Sequence, residues 1–223
     1  VTVVALINPN TSRATTDMMA TIARRTLRAD DDYEVHGVTV AEGPSMLVDE
    51  DVLRAAGPQV LDAARHTLAG PAGGRVEALV VSAFGDPGVE ELRAWTDVPV
   101  VGIAEAAMAE AAANGRRFGI ATTTPGLAAA IAARVDQLGH SPQYTGIRLT
   151  AGNPLELAAT PEAMRSRLSE AVAACITEDG AEAVIIGGGP LGEAAEALRH
   201  SFPVPVIGPI SAACREVRRV LGR

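Results

Sequence analysis

Glu77-Ala78-Leu79-Val80-Val81-Ser82-Ala83-Phe84-Gly85-Asp86-Pro87 decides the reading of this chain, because its pattern returns as Glu182-Ala183-Val184-Ile185-Ile186-Gly187-Gly188-Gly189-Pro190. In each copy a short β-branched run ends in a turn of small residues. An acidic, Ala-rich segment of helical period follows, containing Leu92-Arg93 or Leu198-Arg199. Each copy then gives Val98-Pro99-Val100 or Val204-Pro205-Val206, a glycine (Gly102 or Gly208), and a helix with Ala106-Ala107 or Ala212-Ala213 near its start. A strand-turn-helix unit repeated without a linker implies two similar α/β halves facing each other about a pseudo-twofold axis.

Outward from the repeat, short β-branched runs alternate with longer helical-period segments along the whole chain, the pattern of parallel strands joined by crossover helices. The spacing predicts strands at 2–7, 34–39, 78–81, 100–102, 117–121, 143–147, 183–186 and 206–208. Helices are expected at 11–29, 50–69, 90–94, 104–114, 125–138, 161–179, 191–200 and 211–221. The fold class expected is therefore α/β, with two pseudo-symmetric, doubly wound parallel-sheet halves and a cleft between them. Residues 1–104 with 207–223 form the N-terminal half in this reading, and residues 105–206 the C-terminal half.

The chain has 223 residues, of which 48% are hydrophobic and 21% charged, and a formal net charge of −8. Every one of its basic side chains other than histidine is Arg; no Lys occurs. Schiff-base chemistry and the phosphate-binding lysine of a P-loop are thereby excluded. An acidic chain with one Trp, two Tyr and three Phe also lacks the basic footprint and stacking platforms of a nucleic-acid binder. Two cysteines, Cys175 and Cys214, are too few for a disulfide scaffold and show no metal-ligand spacing. His36, His66, His140 and His200 fall on separate segments, so packing or surface roles are expected of them, with no metal. No run approaches the length of a membrane span, and a cytoplasmic, unexported protein is the expectation.

In open parallel sheets, ligands bind beyond the carboxyl ends of the strands. The repeat should bring four polar strand-end turns to one cleft: 8–12, 82–88, 122–124 and 187–192. Thr11 or Ser12 can cap the first helix, whereas the carboxamides of Asn8 and Asn10 exceed what capping needs and can orient a carboxylate, amide or ureide. Consecutive N–H groups in 82–87 and 187–189 can form anion nests. The run Gly187-Gly188-Gly189-Pro190-Leu191-Gly192 does not have the spacing or position of a dinucleotide fingerprint, so no nucleotide cofactor is expected. Asp86 reads as the N-terminal acid of the helix after Pro87, and Glu105 as a helix-start acid that could also hold a ligand N–H. The expected ligand contacts are the side chains of Asn8, Asn10, Ser82, Thr122 and Thr123 and the backbone of Phe84, Gly85, Gly188 and Gly189. The loops at 41–52 and 150–160 would complete the wall.

Ile7-Asn8-Pro9-Asn10-Thr11-Ser12, Phe84-Gly85-Asp86-Pro87-Gly88, the run from Pro99 to Ala107, and Gly187-Gly188 after a buried strand resemble the aspartate/glutamate/hydantoin racemase superfamily. Its hydantoin and allantoin racemase branch is the most similar. The resemblance runs in order over nearly the whole chain and includes Gly43-Pro44 and Asp49-Glu50. It implies cofactor-independent chemistry on a carbon acid beside a carbonyl, with a small carboxylate or cyclic ureide held between the halves. It implies a homo-oligomer as well. In that family two thiols stand on opposite faces of the substrate, one removing the α-proton and the other delivering one. The resemblance maps these thiols onto Ala83 and Gly188, the same pair that the repeat makes equivalent, and neither residue can carry a proton. Cys175, in mid-helix, and Cys214, in the last helix, read as packing residues. A racemase-like isomerase without the two-cysteine relay is the first expectation, with its proton-transfer groups unidentified and Ser82 and Glu105 as candidates. A lyase, decarboxylase or hydrolase on a related substrate, using Glu105 or a Ser82-bound water, is the runner-up. A non-catalytic binder of small metabolites is the third.

Overall fold

The chain folds into two four-stranded, wholly parallel sheets with the strand orders β2-β1-β3-β4 and β6-β5-β7-β8. The first contains β1 (Thr2–Asn8), β2 (Tyr33–Thr39), β3 (Val76–Val81) and β4 (Val100–Gly102), connected through the helices α1 (Arg13–Leu27), α2 (Glu50–Ala69) and α3 (Val89–Trp95). After α4 (Ile103–Ala111) the second sheet follows as β5 (Phe118–Thr122), β6 (Tyr144–Leu149), β7 (Ala183–Ile186) and β8 (Val206–Ile207). Its helices are α5 (Ala128–Gln137), α6 (Pro161–Thr177) and α7 (Gly192–Leu198), and α8 (Pro209–Val220) ends the fold. This computed structural model describes residues 1–27, 33–71, 73–153, 156–157 and 159–223. The last two residues of the helix expected at 11–29 lie outside the described residues.

The two halves correspond bond by bond. At the strand ends, Ser82 N–H donates to the Ile7 carbonyl at 2.9 Å and Gly187 N–H to the Ala121 carbonyl at 2.9 Å. Val40 N–H reaches the Asn8 carbonyl, and Thr150 N–H reaches that of Thr122. The proline-flanked strands repeat the agreement, with Leu79 N–H on the Pro99 carbonyl at 2.8 Å and Val184 N–H on that of Pro205 at 2.9 Å. Because β1, β3, β5 and β7 are central strands covered on both faces, their side chains form continuous apolar runs and are buried throughout β1 and β7.

Several boundaries differ from expectation for local reasons. Helix α1 begins at Arg13 because Ser12 N–H is taken by the Asn10 side chain at 2.9 Å, and Ser12 Oγ receives Thr15 N–H at 3.3 Å. The helix expected at 125–138 divides into a 3₁₀ turn, Pro125–Leu127, and α5. Helix α8 starts two residues early, at Pro209, where a missing N–H leaves no bond unmade. The expected division of the halves between residues 206 and 207 runs through β8, whose two residues both pair with β7.

The halves are joined by a shared core beside the clusters that each has to itself. Met19 and Ile22 of α1, Ile103 and Met108 of α4, Phe118 and Ile120 of β5, and Ile210 and Val217 of α8 belong to a single buried cluster. Ala106, Ala107, Ala212 and Ala213 are buried in it, where α4 packs on α8, so small side chains permit the two repeat-related helices to approach. This apolar interface fixes the carboxyl ends of β1, β3, β5 and β7 towards one another. No helix of the described residues is long and apolar enough to cross a membrane.

Candidate functional site

A crevice opens where the four strand ends meet. Its walls are Asn10 from the turn after β1, Ser82, Ala83 and Phe84 after β3, Thr122, Thr123 and Thr124 after β5, and the run from Gly187 to Leu191 after β7. Met46, Leu47, Leu53, Leu127 and Ile131 complete the wall, with Leu127 packed on Leu47 and Leu53. About 50 Å³ inside is open to a water-sized sphere. None of these lining residues is ionisable.

Most of the expected contact residues come together here: Asn10, Ser82, Phe84, Thr122, Thr123, Gly188 and Gly189 all line the crevice. Ala83 and Gly188 line it too, from the two halves. Asn8 and Gly85 are not among the wall residues. The Asn8 carboxamide is completely buried, and its Nδ2 donates to Asn10 Oδ1 at 2.9 Å, the Ser12 carbonyl at 3.1 Å and Thr16 Oγ1 at 3.0 Å, while its Oδ1 accepts Asn10 N–H. With those bonds its function is to hold the turn. Asn10 in turn uses Oδ1 to accept from Asn8 and from Ser12 N–H. At Gly85, φ is +138° and an added Cβ would sit 2.6 Å from Leu53 Cδ2, so the glycine lets that leucine reach the wall.

The repeat positions have diverged in a way that shapes the crevice. Ser82 is buried and its Oγ has no hydrogen-bond partner among the described residues, an arrangement that costs about 1–3 kcal/mol if nothing else occupies it. Its counterpart, Gly187, cannot carry a side chain, since a Cβ there would lie 2.8 Å from Phe84 Cε1. Thr122 Oγ1 donates to the Gly187 carbonyl at 2.7 Å and so fixes that turn. Around Ala83 the surroundings are apolar, with Leu47, Leu53 and Ala56 in one buried cluster.

Asp86 and Glu105 are used elsewhere. Asp86 is wholly buried and caps α4, not α3: Oδ1 accepts Ala104 N–H at 2.8 Å and Oδ2 accepts Glu105 N–H at 2.9 Å. Its φ of +54° is the left-handed conformation that turns the carboxylate towards α4. A Cβ on Gly102 would lie 2.4 Å from that carboxyl carbon, so glycine is required there. Arg134 Nε, from α5 in the other half, donates to Asp86 Oδ2 at 3.2 Å. Burial pushes the Asp86 carboxyl up to about 6, against the opposing pull of Arg134 and the Ala104 N–H. Glu105 accepts Gly102 N–H and pairs with Arg93 and Arg134, which removes it from the crevice as a ligand-holding acid.

Cys175 and Cys214 are both buried, and burial pushes each thiol up to about 12. Neither lines the crevice. Among the described residues no group of His, Cys, Asp or Glu could hold a metal ion. The wall residues that sequence reasoning did not single out, Met46, Leu47, Leu53, Leu127 and Ile131, are apolar and come from loops and helix faces. For the loop residues, the only signal was the position of 41–52 after a strand end.

The family model for Asp/Glu/Hydantoin racemase matches residues 4–217. The hydantoin racemase of Pseudomonas sp. (strain NS671) is 30% identical over 212 residues, which cover 95% of this chain and 83% of that protein. Among solved structures, the allantoin racemase from Klebsiella pneumoniae superposes with a TM-score of 0.91 at 28% identity, covering 100% of this chain and 88% of that one. The allantoin racemase from Pseudomonas fluorescens gives 0.89 at 25% identity, covering 99% and 91%. With the model spanning nearly the full length, this chain belongs to the Asp/Glu/Hydantoin racemase family.

Proposed function

We propose that this protein is a hydantoin-racemase-like isomerase that binds a small carboxylate or cyclic ureide in the crevice between its halves and works without the paired thiols of its relatives. The observation that carries this reading is the position of Ala83 and Gly188, repeat-equivalent residues that wall the same crevice from opposite halves. The unpartnered Ser82 hydroxyl is the group best placed to bind a ligand oxygen or a water, and Asn10 and Thr123 supply further polar contacts. Backbone at Phe84, Gly188 and Gly189 completes the polar set. Stabilisation of a developing enolate by fixed donors in a water-poor site lowers the barrier to losing an α-proton, and water can then carry the proton where no side chain does.

A second reading is supported by the absence of ionisable groups among the lining residues: a binder of small metabolites that performs no proton transfer. Both readings predict ligand-induced stabilisation. A single-enantiomer 5-substituted hydantoin in D₂O separates them, since an isomerase incorporates deuterium at the stereocentre and a binder only raises the melting temperature. Loss of carbon dioxide or ammonia from an amino-acid or malonate analogue would instead indicate the lyase alternative.

A further inference from the structure

The innermost part of the crevice, between Ala83 and Gly188, is narrow. About 50 Å³ of it is open, against roughly 150 Å³ in an apolar cavity that binds benzene, and Met46, Thr123, Pro190 and Leu191 also line an adjoining space of about 420 Å³, so a ring-sized ligand can approach from that space but seats between Ala83 and Gly188 only if a wall withdraws. One wall is held by a charge cluster that crosses between the halves. Arg134 is one turn beyond Ile131 on α5, and its side chain is only 10% exposed. From the second half it reaches a socket of three acids on the first: Asp86 Oδ2 at 3.2 Å, Glu105 Oε2 at 3.3 Å and Glu90 Oε1 at 3.6 Å. Arg93 shares Glu105 and lies 3.5 Å from Glu90, so two guanidiniums serve three carboxylates. On the same helix face, Ile131 lines the crevice, and Ala130 and Leu127 pack on the cluster of Leu47, Leu53 and Ala83.

We propose that Arg134 is the strut that holds the crevice closed: seated in the Asp86, Glu105 and Glu90 socket, it presses the Leu127–Ile131 face against the turn that carries Ala83, and a ring-sized ligand is admitted when it lifts. Arg134 is thus a positioning residue that touches no ligand. Its use in ligand entry rests on the crevice being the ligand site, whereas the strut itself can be tested in the free protein. Removing the guanidinium leaves the buried Asp86 carboxylate without its counter-charge, which makes the closed arrangement costly, while Arg93 still serves Glu105 and Glu90.

The experiment is amide hydrogen exchange, resolved by peptide, on the unliganded protein and three variants. In Arg134→Met, amides in 47–53 and 127–131 exchange at least about tenfold faster than in the wild type. Arg134→Lys, which retains a cation on a long stem, returns most of the protection. Arg215→Met removes a two-bonded ion pair to Glu110 on another face and leaves those segments unchanged. Unchanged protection in a folded Arg134→Met, or the same acceleration in Arg215→Met, overturns the strut. If Arg134→Met does not fold, Arg134→Gln carries the same expectations. A separate stopped-flow arm with 5-benzylhydantoin expects faster association in Arg134→Met than in the wild type; a slower or unchanged rate overturns the gating role. No binding by the wild type would count against the ligand site, and the exchange results would still decide the strut.

Discussion

Ala83 is buried beside Leu47 and Leu53, and its backbone is unstrained, so Ala83→Cys can place a thiol at the crevice wall without moving the fold. Gly188 is different. Its φ is +156°, and an added Cβ would meet Leu191 Cγ at 3.1 Å, so Gly188→Cys carries both backbone strain and a contact that must yield. The double replacement, intended to restore a two-thiol relay, is therefore expected to function only with Leu191→Ala. The triple variant should raise hydantoin deuteration by about 10²-fold over wild type, the usual scale of general acid–base assistance, and an assay in D₂O measures it. The native thiols give a complementary expectation. With both pushed up to about 12 by burial, Cys175 and Cys214 should resist alkylation by iodoacetamide at pH 8 in the folded protein, and any activity should survive the reagent. Ready labelling of native protein, read by mass spectrometry, would contradict the buried placement.

At the level of elements, the strands and strand-end turns were legible in the sequence, because central parallel strands leave continuous apolar runs and the repeat fixes which turns face each other. The side walls were not. Leu47, Leu53, Leu127 and Ile131 meet only through folding, and nothing in their local pattern marks them as neighbours. Asp86 shows the limit most clearly: its place before Pro87 suggests the start of α3, yet its carboxylate caps α4 because Gly102 leaves room for it. Gly102→Ala should consequently cost about 2 kcal/mol or more in urea unfolding, through overpacking against that carboxyl. The same carboxyl gives a pH dependence. Raised from 3.8 to about 6, it binds its proton more tightly folded than unfolded, so its stabilising contribution is complete below about pH 4 and is lost as pH rises through about 6. The shift of about two units corresponds to about 3 kcal/mol, to be read as the difference in pH dependence between wild type and Asp86→Asn. Arg134 pulls this carboxyl down, so Arg134→Met should move the loss to higher pH and enlarge it. A wild type whose dependence matches that of Asp86→Asn would contradict the assignment.

Across the whole molecule, the shared core has a consequence for unfolding. Residues of α1, α4, β5 and α8 occupy one buried cluster, larger than the clusters that each half has to itself, so unfolding either half exposes apolar surface of the other. Heating should give one transition with coincident far-UV and near-UV signals, and two separated transitions would show that the halves fold independently. The same interface brings Ala83 and Gly188, one from each half, to the wall of one crevice. The most direct test is proton NMR of a single enantiomer of 5-benzylhydantoin in D₂O with the wild-type protein. The account predicts loss of the C5 proton signal faster than in buffer, undiminished by iodoacetamide and abolished in Ser82→Val. C5 exchange at the buffer rate, across this hydantoin, allantoin, aspartate and glutamate, would contradict it.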